Sequence, residues 1–181
     1  GSGQSHRTRP LFKDATIIST CPEISAVVRG HTLEVNRIVG FDGSILGRGP
    51  RPGHSSVHEQ LIGLKSTIDG QPAILVEDGS FTGKTIQYLV EEFKRIHIEL
   101  AAIVLGFAFP DAIQAIHSSF KGELLVTEEI DDNLIDWMPD HDFFPFTPNC
   151  GRVVGVRIGT DGDILPFYSY GGLSYSIPYL C

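Results

Sequence analysis

Two apolar runs of strand length stand out: Ala73-Ile74-Leu75-Val76, and Leu100 through Ala108. Continuous apolar runs bounded by polar punctuation suit strands covered on both faces. Between them, Ile86, Leu89, Val90, Phe93 and Ile96 recur at helical spacing from Lys84 onward, which predicts an amphipathic helix ending near Ile96. Gly106 and Pro110 weigh against a helical reading of the second run. Pro110-Asp111 then opens another helix with Ala112, Ile113, Ile116 and Phe120 on one face, closed by Lys121-Gly122. Glu123 to Thr127 follows as a third strand. Strand, helix, strand, helix, strand over 73–127 predicts right-handed crossovers and a parallel sheet.

Upstream the pattern changes period. Ala15 to Ser19 is rich in β-branched residues and reads as a short strand, with Pro22 at the start of a short helix to about Val28. Leu33 to Val39 alternates apolar and polar residues, as a half-buried strand does, and Asp42-Gly43 offers a hairpin turn into Ser44-Ile45-Leu46. Gly47 to Ser56 holds three Gly, two Pro, two Arg and His54, which predicts a long, mobile, positively charged loop. His58 to Leu64 predicts a brief element before Asp69-Gly70-Gln71-Pro72 turns the chain into the strand at 73.

The last third differs in kind. Glu128 to Asp142 carries seven acids interleaved with Leu134, Ile135, Trp137 and Met138, and an acidic run of this sort reads first as a solvated face. Val153 to Ile158, the turn Thr160 to Asp163, and Ile164 to Tyr168 predict a terminal hairpin.

Composition narrows the classes. The 181 residues suffice for one ordinary core, and a formal net charge of -8 argues against a sequence-independent DNA or RNA binder, which needs an excess of Lys and Arg. Cys21, Cys150 and Cys181 are odd in number and widely spaced, which predicts free thiols in a reducing compartment. No apolar run approaches the roughly 18 to 20 residues that span a bilayer, so the expectation is a cytoplasmic protein that meets no membrane. Residues 1–10 read as a tag or disordered segment.

The chemistry concentrates in Glu77-Asp78-Gly79-Ser80-Phe81-Thr82-Gly83-Lys84-Thr85, between the first buried strand and its helix. A helix N-terminus leaves N–H donors unpaired and carries partial positive charge, so a phosphate can sit there. Gly83-Lys84-Thr85 reproduces the end of a P-loop, but that motif's leading Gly falls where Asp78 stands. A capped turn without a ligand is the plainer alternative. His54 and His58 stand four apart, yet Gly53, the prolines before it and the lack of a third ligand disfavour a metal pair.

The same residues resemble the phosphoribosyl-pyrophosphate signature of type I phosphoribosyltransferases: a buried strand, two adjacent acids, and a turn ending in Thr-Gly with a further Thr two residues on. The resemblance implies an α/β, phosphoribosyltransferase-like fold, with a central, mainly parallel β-sheet flanked by helices and a β-rich appendage. Residues 11–181 would form one domain, with 73–127 its core and 128–181 a variable C-terminal hood or appendage. It implies transfer of a 5-phosphoribosyl group from phosphoribosyl pyrophosphate to a nitrogen acceptor; the alternative is a non-catalytic sensor of ribose phosphate or nucleotide, and a homodimer is a candidate assembly.

In site terms, Glu77 and Asp78 would be the catalytic acids, holding the ribose hydroxyls directly or through Mg²⁺. Gly79, Ser80, Phe81, Thr82, Gly83, Lys84 and Thr85 would bind the 5-phosphate. Arg48, Arg51 and His54 are candidates from the mobile loop that precedes the signature strand, and Trp137, Phe143 and Phe144 are candidates for stacking on a base. The counterpart of the family's pyrophosphate loop, Ser19-Thr20-Cys21-Pro22-Glu23, contains neither glycine nor a basic residue.

Overall fold

A computed structural model describes residues 14–40, 45–68 and 70–130, together with the backbone of two later strands at 153–158 and 163–169. The chain runs β1 (Thr16–Ser19), α1 (Pro22–Val28), β2 (His31–Thr32), β3 (Val35–Val39), β4 (Ile45–Pro50), α2 (Val57–Ile68), β5 (Ala73–Ser80), α3 (Lys84–Ile96), β6 (Leu100–Ala108), α4 (Pro110–Ser119), β7 (Glu123–Glu129), β8 (Val153–Ile158) and β9 (Asp163–Ser169). Five strands form one sheet in the order β2-β1-β5-β6-β7, every pairing parallel. The fold is therefore α/β, as the alternation of buried runs and amphipathic helices predicts.

Local chemistry accounts for the helix boundaries. Pro22 and Pro110 occupy first-turn positions of α1 and α4, where a missing N–H costs nothing. At the end of α3, His97 turns left-handed at φ 58° and Ile98 N–H reaches back to the Phe93 carbonyl at 3.0 Å, which satisfies a carbonyl the helix leaves open. Ser56 and Glu59 form a reciprocal cap on α2: Glu59 N–H donates to Ser56 Oγ at 3.2 Å and Ser56 N–H donates to Glu59 Oε2 at 3.0 Å. This cap turns the brief element expected at 58–64 into a 12-residue helix.

Right-handed crossovers place α1 on one side of the parallel sheet and α2, α3 and α4 on the other. The core lies on the second side. There Ile18, Leu75, Ile103 and Leu105 from the strands meet Leu61, Leu89, Phe93 and Ile116 from the helices, all buried. Each such aliphatic side chain contributes roughly 1.5–3 kcal/mol by leaving water. All five residues that predict the apolar stripe of α3 are buried.

The second sheet has the order β4-β3-β8-β9, with β3–β4 and β8–β9 antiparallel and β3–β8 parallel. The β-rich appendage is thus built from both the early and the late parts of the chain, and the terminal hairpin is present. One expectation is corrected: 47–56 is not a single mobile loop. Its first four residues belong to β4, where Gly49 lies beneath Ile38, a Cβ there coming within 2.6 Å of Ile38 Cδ1. Pro50 ends the strand, a place where proline's lost N–H is tolerated. Cys21 is a buried free thiol, its ionisation pushed up to about 11 mainly by burial.

Among the described residues, no helix is long and apolar enough to cross a membrane. Asp42-Gly43, the acidic run beyond Ile130, Trp137, Phe143, Phe144, Cys150 and Cys181 lie outside the described residues.

Candidate functional site

In an open α/β sheet, ligands bind beyond the carboxyl ends of the strands where the strand order reverses. Here β1 leads to β2 on one side and lies beside β5 on the other, so the reversal falls between the ends of β1 and β5. The residues gathered there are Ser19 and Thr20 from β1 and its loop, and Glu77 to Thr85 from β5 and the start of α3. The stretch that draws attention in the sequence stands at the topological switch point.

β5 continues through Ser80, so the turn is only Phe81 to Gly83. The strand continues because Gly79 faces Phe107 on β6, and a Cβ at Gly79 would overlap that ring. Phe81 then packs against Phe107 and Phe109, with ring centroids 5.4 Å apart in each case. Gly83 turns left-handed at φ 71° and lies so close to α4 that a Cβ would sit 2.9 Å from the Ala112 carbonyl oxygen. Both the backbone angle and the close approach call for glycine.

Successive residues of a strand point to opposite faces, and this separates the two acids. Glu77 shares the helix-covered face with Leu75 and is buried. Its carboxylate accepts the Thr20 N–H at Oε1 and the Thr20 hydroxyl at Oε2, both at 2.6 Å, with Ser19 Oγ at 3.4 Å. Burial pushes its pKa up to about 7 despite those donors, with the charge of Asp78 adding to the rise. Asp78 lies on the opposite face, half-buried, and its Oδ1 accepts the Gly79 N–H at 2.8 Å. The pair therefore does not form the convergent chelate expected for ribose hydroxyls or Mg²⁺. Among the described residues no group of three or more potential metal ligands comes together.

The shorter turn still opens directly into α3. Gly83 supplies no side-chain cap to α3 and the first turn of the helix contains no acid, so its leading N–H groups face outward with no side chain of their own helix answering them. Ser80 is buried, whereas Thr82 and Lys84 are exposed. Thr85 is half-buried, and its hydroxyl oxygen accepts from Arg48 Nε at 3.2 Å.

The three candidates of the expected loop separate. Arg48 is fixed on β4 directly opposite Arg37 of β3, and burial, then the charge of Arg37, hold its pKa below the usual guanidinium value. Arg51 is buried and structural: it pairs with Glu34 Oε2 at 2.6 Å and donates to the Thr20 carbonyl at 3.0 Å. His54 is exposed, four residues from His58, whose Nδ1 stands 3.9 Å from Glu92.

No protein-family model and no curated protein matches the chain. Among solved structures it is similar to the crystal structure of TT1426 from Thermus thermophilus, at 14% identity over 65% of this chain and 76% of that one, with a TM-score of 0.40. A likeness at that level carries no argument about function.

Sequence reasoning placed Thr20 in the loop after β1 but missed its bonds to Glu77, and missed that Arg37 stands opposite Arg48. Thr20 follows β1 directly, and two adjacent strands place their ends together, so a parallel pairing of β1 with the 73–80 strand is the signal that finds it. Arg37 emerges only from the register of β3 on β4.

Proposed function

We propose that the protein binds a phosphorylated ribose at the end of β5, as a phosphoribosyltransferase-like protein. The observation that carries this reading is the uncapped N-terminus of α3, delivered by a glycine turn to the switch point of a parallel sheet. Several N–H donors converging on one phosphate form charge-assisted bonds, typically about 1.5–3 kcal/mol each, enough to offset the protein's net negative charge. Asp78 is the acid placed to accept from a sugar hydroxyl. Glu77 acts through Thr20, holding the loop after β1 at the rim of the site.

In the transferase form of this reading, phosphoribosyl pyrophosphate is the donor and a nitrogen base the acceptor. Catalysis then rests on positioning and on a carboxylate near the sugar as positive charge develops at its anomeric carbon. The separated acids do not fit a shared Mg²⁺. The sensor form has a specific observation in its favour: the loop Ser19 to Glu23 is tied down onto Glu77 and Arg51 and offers no basic side chain to pyrophosphate.

Calorimetry with ribose 5-phosphate and phosphoribosyl pyrophosphate tests the binding. Saturable binding is expected, and absence of binding to either sinks the reading. Pyrophosphate release with a panel of bases then separates the transferase from the sensor.

A further inference from the structure

Thr20 meets Glu77 through two contacts of different kind. Its N–H donates to Oε1 and its hydroxyl lies on Oε2, each at 2.6 Å. An N–H can only donate, so Oε1 accepts in every state, whereas a hydroxyl donates or accepts, so the Oγ1–Oε2 contact can run in either direction. With Glu77 ionised, the Thr20 hydroxyl gives its hydrogen to the carboxylate. With a solvent proton on Oε2, the acid donates to Oγ1, and the hydroxyl's own hydrogen is released for another acceptor. Thr20 engages both oxygens in either state, so Glu77 is not available to a metal.

The surroundings make this proton movable. Burial outweighs the Thr20 and Ser19 donors and pushes the Glu77 pKa up to about 7, with Asp78 beside it as the charge that adds to the rise. Leu105 stands opposite on β6, and the residues that α2 and α4 bury are aliphatic. The first turn of α3 has no acid and starts with the exposed Lys84; its buried Glu92, farther along the helix, is answered by Arg95 at 2.8 Å. On the loop side Glu23 accepts from the Cys21 thiol at 3.2 Å, and Arg51 donates to Glu34 and to the Thr20 carbonyl. Thr20 itself is half-buried at the switch point, where a ligand can reach it.

We propose that Thr20 is a proton-gated donor of the site: protonation of Glu77 turns the Thr20 hydroxyl from the carboxylate to an anionic oxygen of the ligand, so that ligand and proton bind together. The inference rests on the reading of the β5 end as a phosphorylated-ribose site. It adds a binding residue from the loop after β1 and a pH dependence. An anion that accepts from Thr20 favours protonated Glu77, and reciprocity then requires that binding draw a proton from solvent where Glu77 is largely ionised.

Calorimetry of the whole chain with ribose 5-phosphate, at pH 7.5 in buffers of differing ionisation enthalpy, counts the protons taken up per ligand bound. At this pH the phosphate of the ligand is already largely a dianion. Wild type is expected to take up protons that Glu77→Gln does not, because the Gln amide donates to Thr20 Oγ1 at every pH. Thr20→Val keeps the N–H contact and removes the hydroxyl. It is expected to lose about tenfold in affinity at pH 6, the worth of one hydrogen bond to a charged group, and much less at pH 9, where Glu77 holds the hydroxyl in wild type. A purely structural threonine does not produce that difference. Should Thr20→Val melt early in a thermal scan, Glu77→Gln still decides, and is expected to bind more tightly than wild type at pH 9. Equal proton uptake in wild type and Glu77→Gln, or a Thr20→Val loss of the same size at both pH values, overturns the gate and leaves the ribose-phosphate reading standing. If wild type binds no phosphorylated ribose between pH 6 and pH 9, that reading fails and the gate with it.

Discussion

Thr20 gives both its N–H and its hydroxyl to the two oxygens of Glu77, each at 2.6 Å. The acid that heads the apparent signature is thereby committed to the neighbouring strand, so its main influence is on the folding and shape of the loop after β1.

That commitment has a pH signature. The pKa of Glu77 is raised to about 7 from an ordinary 4.5, so the folded state holds its proton more tightly than the unfolded one. The stability this contributes is present below pH 4.5 and is lost as pH rises through 7, by about 3 kcal/mol in all. Urea unfolding at pH 5 and pH 8 is expected to show wild type losing more stability than Glu77→Gln over that interval. Parallel losses in the two proteins would remove Glu77 as the titrating group.

Arg51 and Glu34 form a largely buried ion pair at 2.6 Å, and Arg51 also holds the Thr20 carbonyl. Arg51→Leu alone is expected to cost about 3–5 kcal/mol, because it strands Glu34 and an acceptor. The double variant Arg51→Leu, Glu34→Leu is expected to recover part of that loss. Chemical denaturation of the four proteins of the cycle measures the coupling, and additive losses would show the pair to be incidental.

Gly83→Ala forces a side chain into a left-handed position and against the Ala112 carbonyl. The backbone term alone is about 1–2 kcal/mol, and the contact with α4 adds to it. A lower Tm is expected together with weaker ribose 5-phosphate binding, since the same turn aims the N–H groups of α3. An unchanged affinity in a folded variant would detach the turn from the ligand.

Asp78→Asn is expected to weaken ribose 5-phosphate binding by at least tenfold, about 1.4 kcal/mol, with little change in stability because Asp78 is only half-buried. Inorganic phosphate, which has no hydroxyls to offer from a sugar, is expected to bind both proteins alike. Equal losses for the two ligands would place Asp78 on the phosphate instead of the ribose.

Much of this architecture is legible in the chain because β5 and β6 are buried on both faces over most of their length. Apolar runs there allow few arrangements, and Pro22 and Pro110 mark helix starts without help from distant residues. Where the reading fails, the deciding partner is remote in sequence. Gly47 and Gly49 look like loop residues until Ile38 is laid across them, and Gly79 looks like a turn until Phe107 faces it. The cap Ser56–Glu59 is visible as a spacing, but the glycines and prolines before it mask the helix it starts. The divergence of Glu77 and Asp78 follows from that extra length of strand: two acids adjacent in a turn can converge, whereas two in a strand cannot.

The parallel pairing of β3 with β8 joins Ile38 to Val153, far apart along the chain. Contacts so distant along the chain close slowly and late, because loop entropy is spent before they form. The strand pair that carries Arg37 and Arg48 is therefore expected to acquire its full set of neighbours late in folding. During that interval β3 presents an open edge, a place where another chain can add a strand. Refolding from dilute solution is accordingly expected to return a larger native fraction than refolding from concentrated solution, because an unpaired β3 edge then meets its own hairpin before it meets another chain.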